Sequence, residues 1–133
     1  MTQEEKELLL IDLCARLPYG VKGIITLNED KNIFTVKGIF NILFLYDTEY
    51  EHITECCRVE SFKPYLRPMS SMTEEESIEY YDTFEWEEDL NGGHYPNSMT
   101  YKTFEWLNAH HFDYRGLIEK GLAIAVTEES SCN

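Results

Sequence analysis

"IFTVKGIFNILFLY", residues 33–46, decides the fold class. Its first part alternates, with Phe34 and Val36 on one side and Thr35 and Lys37 on the other, the period of a half-buried strand. Gly38 interrupts that alternation and marks a bulge or a sharp bend. "IFNILFLY", residues 39–46, is almost continuously apolar and predicts a central strand. Upstream, "VKGIITLN" is rich in β-branched residues and "NEDKN" is a polar hairpin loop. Downstream, a weaker strand lies around "EHITECC". Short strands separated by tight turns predict a small, strongly bent antiparallel sheet or SH3-like barrel over about residues 20–62.

Helices flank this block. Thr2 and Glu5 form a capping box at the start of the first, and Leu9, Leu10, Leu13, Cys14 and Leu17 share one broad face. Pro18 and Gly20 stop it. After the sheet, "FKPYLRPMSSMTEEE" is a junction in which Pro64 and Pro68 favour extended backbone. Thr73 is the N-cap of a second helix, with Glu74 to Glu76 in its first turn, running to about Leu90. "NGGHYPN" is a loop. Ser98 or Thr100 caps a third helix reaching about His111, and Asp113 caps a short fourth helix ended by Lys120 and Gly121. "LAIAV" adds an edge strand. The expected architecture is α+β: an N-terminal helix, a small bent sheet, then three C-terminal helices over about 73–121. It forms one domain over residues 1–127, with a flexible tail at 128–133.

Composition narrows the function classes. In 133 residues, 43% hydrophobic and 14% aromatic, there is enough apolar material for a core. No apolar run approaches the ~20 residues of a membrane span. The acidic start "MTQEEKELLL" does not resemble a secretory signal, so a cytoplasmic location is expected. The four cysteines lack any C-x-x-C spacing and read as buried free thiols.

The net charge of −14 is unevenly placed. Residues 1–67 carry 8 Lys/Arg against 11 Asp/Glu, and residues 68–133 carry 3 against 14. "EEESIEYYDTFEWEED", residues 74–89, has nine acids and no base. Such a surface repels phosphates, so direct nucleic-acid binding is not expected. On a regular helix the acids would fall one per ~2.7 Å of axis, a density between that of one DNA strand and the duplex. Nucleic-acid mimicry is therefore one reading, and a solvated helix face is the plainer one. Trp86 points, by helical spacing, into the arc of Glu75, Glu79 and Asp82. An aromatic ringed by carboxylates suits a Lys- or Arg-rich partner.

"WLNAHHFDYRGLIEKGLAI", residues 106–124, holds two adjacent histidines, then Asp113 and Arg115. Adjacent helical residues point ~100° apart, so His110 and His111 cannot easily grip one metal. His111 continues a stripe of Tyr101, Phe104 and Leu107. Asp113 fits an N-cap, and Arg115 is free to pair with the acidic helix. Cys56 or Cys57 with His52 is the local nucleophile–base candidate, but four or five strand residues separate them by ~13–17 Å. No catalytic residue, metal site or cofactor is therefore assigned.

Three stretches, "DLCARLPYGVK", "KPYLRPMSSMTEEE" and "WLNAHHFDYRGLIEKGLA", resemble a family of small uncharacterised proteins of anaerobic gut bacteria and their phages and mobile elements. The resemblance covers the first helix and most of the second half. It implies an accessory role associated with mobile DNA and carries no catalytic residue across. The expected function is a non-enzymatic interaction or regulatory protein. Glu75, Glu79, Asp82, Trp86 and Asp89 would form its surface for a basic protein partner, with neither nucleic acid nor membrane bound. The other function class is a small-molecule binder or small enzyme with a pocket between sheet and helices.

Overall fold

A computed structural model describes residues 1–26, 32–39, 42–47 and 54–126. The fold is α+β, with an N-terminal helix and a mixed sheet. Helix α1 spans Gln3–Arg16. Its capping box forms as the sequence predicts: the Thr2 hydroxyl accepts from Glu5 N, and the Glu5 carboxylate accepts from Thr2 N. A 3₁₀ turn at Leu17–Tyr19 follows, closed by Gly20 at φ 75°.

Strands β1 (Lys22–Ile25), β2 (Phe34–Ile39), β3 (Leu43–Asp47) and β4 (Thr54–Cys57) form an antiparallel meander. The alternation carries through, since Leu43, Leu45 and Asp47 are buried while Phe44 and Tyr46 are exposed. The bulge expected at Gly38 is present as a register shift between Val36 and Gly38. The strand expected over 39–46 is divided, however: Ile39 ends β2 and pairs with Leu43 at the start of β3. An unbroken apolar run hides a reversal of direction from periodicity alone. The polar loop at 28–32 lies, apart from Asn32, outside the described residues, as do His52 and the tail 128–133.

The proline-bearing junction is itself a strand, β5 (Phe62–Pro68), at the heart of the sheet. It pairs antiparallel with β1 on one side. It also pairs in parallel with β8 (Phe112–Asp113) and β9 (Ile124–Ala125). The edge strand expected in "LAIAV" is thus formed. The order β4-β3-β2-β1-β5-β8 is an open path, and no pairing among the described residues closes it into a barrel. Gly23 is required where β1 meets β5, because a Cβ there would strike the Lys63 carbonyl and come within 2.6 Å of the Phe62 ring.

Among the described residues two α-helices follow the sheet, not three: α2 (Glu74–Asp82) and α3 (Tyr101–Ala109). The fourth helix expected at 113–121 is reduced to turns. Its caps survive without it. Asp113 accepts from Leu117 N and Ile118 N, both at 2.9 Å, and Gly121 closes the turn at φ 74°. Gly116, at φ 75°, interrupts the helical backbone between them.

The core joins Leu9 and Leu13 of α1 to Val21, Ile25, Phe34, Val36, Leu43, Leu45, Phe62 and Leu66 of the sheet region and to Leu117, Leu122 and Ala123. The buried face of α1 differs from the expected one. Leu10 and Cys14 are exposed, and Asp12 and Arg16 complete the stripe with Leu9 and Leu13. The i, i+3, i+4, i+7 pattern holds, but two of its four members are charged.

Candidate functional site

The Arg67 guanidinium meets the Glu76 carboxylate through two hydrogen bonds of 2.7 Å, fixing the first turn of α2 to β5. Glu76 also completes a capping box with Thr73. The Arg67 bonds, with those from Thr73, hold the Glu76 carboxyl at about 2, well below the usual carboxylate range. Helix α2 ends at Asp82, not near Leu90. Thr83 caps it by donating its hydroxyl to the Tyr80 carbonyl at 2.6 Å.

The chain then turns into a hairpin of β6 (Glu85–Glu88) and β7 (His94–Ser98). Phe84 and Trp86 alternate with acids, a strand period that the helical reading overlooked. "DLNGGH" supplies the turn. Asp89 accepts from Asn91 N at 2.9 Å and Gly93 N at 2.7 Å, and Gly92 takes φ 84°. Asp89, exposed beyond the end of α2, therefore organises the hairpin turn.

Between α2 and this hairpin lies an open groove of about 510 Å³, lined by Ser77, Ile78, Tyr81, Asp82, Trp86 and Pro96. Its apolar walls face solvent: Ile78 is 72% exposed, and Tyr81 and Trp86 are each 46% exposed. Trp86 sits opposite Pro96 in the hairpin register. Its indole N–H donates to the Tyr81 carbonyl at 2.9 Å, which ties the hairpin to the helix end. The Tyr81 ring packs on Phe84 and Tyr80, with centroids 5.3 and 5.1 Å away. The groove is thus preorganised by its own neighbours. Glu75 and Glu79 are exposed on α2, and with Asp82 they form a row beside Ile78 at helical spacing. Trp86 reaches the company of Asp82 by a strand rather than by the continuous helix expected. Residues 68–101 contain no Lys or Arg.

The histidine-bearing segment builds something different. Helix α3 ends at Ala109, so His111 lies beyond it, at φ 60°. The expected stripe does not form the buried face. Tyr101 and Phe104 are 70% and 41% exposed, while Thr103, Leu107 and Asn108 are buried. His110 stacks on Trp106 at 4.1 Å, and Trp106 stacks on Phe112 at 5.6 Å. Behind them is a buried ion cluster that sequence reading missed. Asp12 accepts from Arg16 Nε and from Arg115 Nη1, both at 2.8 Å, and Arg16 Nη2 donates to the Phe112 carbonyl at 2.6 Å. Arg115 therefore pairs with α1 rather than with the acidic helix. The i, i+4 placement of Asp12 and Arg16 was the available signal. Arg16 Nη1 is buried without a hydrogen-bond partner among the described residues. Burial, aided by the Arg16 charge, pushes the His111 imidazole below its ordinary value.

Cys14 and Cys56 are exposed and Cys57 is half-buried, which corrects the reading of the cysteines as buried. Burial raises the Cys57 thiol to about 11, far from a thiolate nucleophile. Among the described residues no three His, Cys, Asp or Glu side chains gather as metal ligands, and no helix is long and apolar enough to cross a membrane. No family model, curated protein or solved structure matches the chain.

Proposed function

We propose that the groove between α2 and the β6–β7 hairpin is the working surface of a non-enzymatic interaction protein. Its partner is a basic segment of another protein that carries an apolar anchor. The observation behind this reading is the exposure of Ile78, Tyr81 and Trp86 along one groove that Asp82 also lines, with Glu75 and Glu79 exposed on the same helix. Exposed aromatics beside a ligand-sized concavity favour burial against a partner. The carboxylates select a cationic one and speed its encounter. A Lys or Arg reaching over Trp86 adds a cation–π contact of ~0.5–1 kcal/mol at an exposed site. An accessory role of phage or mobile-element type is supported by the resemblance of the three motifs alone.

The test is co-purification from host lysate with the native chain and two variants, Trp86→Ala and Glu75→Gln/Glu79→Gln/Asp82→Asn. The reading expects partners lost in both variants, with unchanged circular dichroism. Partners retained at full yield by both variants would refute it.

A further inference from the structure

From the groove chemistry we infer that the occupant is a proline-containing segment in the polyproline II conformation, flanked by Arg or Lys. This rests on the proposed partner-binding role and specifies the ligand.

Three basic occupants suit an acidic apolar surface in general: an amphipathic helix, an added β-strand, and a polyproline II segment. A helix needs a long apolar trough for anchors at i, i+4 and i+7. Here the apolar lining is confined to Ile78, Tyr81, Trp86 and Pro96. Strand addition needs a full row of backbone donors and acceptors. Pro96 removes a donor from the middle of β7, and every residue of β6 is exposed.

The remaining mode fits the details. Polyproline II has three residues per turn, so every third side chain returns to the same face after ~9 Å. Its prolines are flat apolar rings that lie on aromatic faces in shallow grooves, which is what Trp86 and Tyr81 offer. Its carbonyls make no internal hydrogen bonds and look for donors. Ser77 and Tyr81 line the groove with hydroxyls that have no hydrogen bond among the described residues. A partner already held extended by proline loses little entropy on docking. Asp82 in the groove lining, with Glu75 and Glu79 at helical spacing from it on α2, sets where the cationic flank goes.

The experiment titrates the purified full chain with three synthetic peptides of equal net charge. One carries a Pro-x-x-Pro core flanked by two arginines. The second keeps the arginines and replaces each proline by alanine. The third is a basic amphipathic helix. The inference expects the first to bind at least tenfold more tightly than either of the others. It also expects at least a tenfold loss with Tyr81→Ala or Trp86→Ala, and a similar loss when the peptide arginines become glutamine. Equal binding of the first and second peptides, or preference for the helix, overturns the polyproline assignment and leaves the basic-partner reading standing. Binding that Trp86→Ala and Glu79→Gln leave untouched overturns both.

Discussion

Arg16 is fully buried, and so is its partner Asp12. The leucines of α1 were legible in the sequence, but this pair was not. Charged residues are expected outside, and only the position of Arg115, 103 residues from Asp12, closes the cluster. A buried ion pair adds little net stability, yet losing one member strands the other charge. Asp12→Ala or Arg16→Ala should therefore cost ~3–5 kcal/mol in urea unfolding. The double change Asp12→Leu/Arg16→Met should recover part of that loss, because no charge is left stranded in α1. Single variants costing under ~1 kcal/mol would contradict the cluster's role. His111 gives a second residue-scale expectation. Its folded value is depressed below 6.5 by burial and by Arg16, so the unfolded chain binds the proton more readily. The stability tied to neutral His111 is complete above about pH 6.5 and is lost as pH falls toward the folded value. His111→Asn tolerates the positive φ and should flatten that limb of a stability–pH curve.

At the scale of elements, start signals proved more legible than stops. Thr2, Thr73 and Thr100 all sit at N-caps, as the sequence proposed. The stop of α2 was misplaced by about eight residues because the acids were read as one helical run. The period-2 placement of Phe84 and Trp86, followed by Asn91-Gly92, is a hairpin pattern visible in sequence. The fourth helix failed for the opposite reason. Its caps were correct, but Gly116, at φ 75° between them, takes the backbone out of the helical region. Strands β8 and β9, of two residues each, carry no readable period at all. The joint between α2 and β5 makes its own prediction. Glu76, held at about 2 by Arg67, binds its proton more weakly when folded than unfolded. Its contribution is present above the ordinary carboxyl value of 4.5 and is lost as pH falls from there toward 2. Glu76→Gln should remove this acid limb while lowering stability at neutral pH. An unchanged slope between pH 4.5 and 2 would show that the pair is not coupled to folding.

Across the whole molecule, the three motif stretches meet in space. Arg16 and Asp12 of the first reach Phe112 and Arg115 of the third. Arg67 of the second places its guanidinium 4.2 Å from the Phe112 ring, and its backbone N–H donates to the His111 carbonyl at 2.8 Å. Their spacing in sequence gave no hint of this convergence, because parallel pairing of β5 with β8 and β9 is a long-range event. The charge segregation, by contrast, was legible from composition, and the fold concentrates it: nine acids lie over α2 and the hairpin with no cation in residues 68–101. Self-repulsion of this kind opposes folding and is screened within ~8 Å at physiological ionic strength. The same screening weakens attraction to a basic partner. Salt should therefore act in opposite directions on the two properties. Between about 20 and 300 mM sodium chloride the melting temperature should rise by a few degrees, while affinity for an arginine-flanked peptide should fall at least tenfold. Glu75→Gln/Glu79→Gln/Asp82→Asn should reduce both responses together, since the same carboxylates cause them. Thermal melts and isothermal titrations over one salt series measure the two on the same samples. If salt moved stability and affinity in the same direction, the acidic surface would not be the common origin of both.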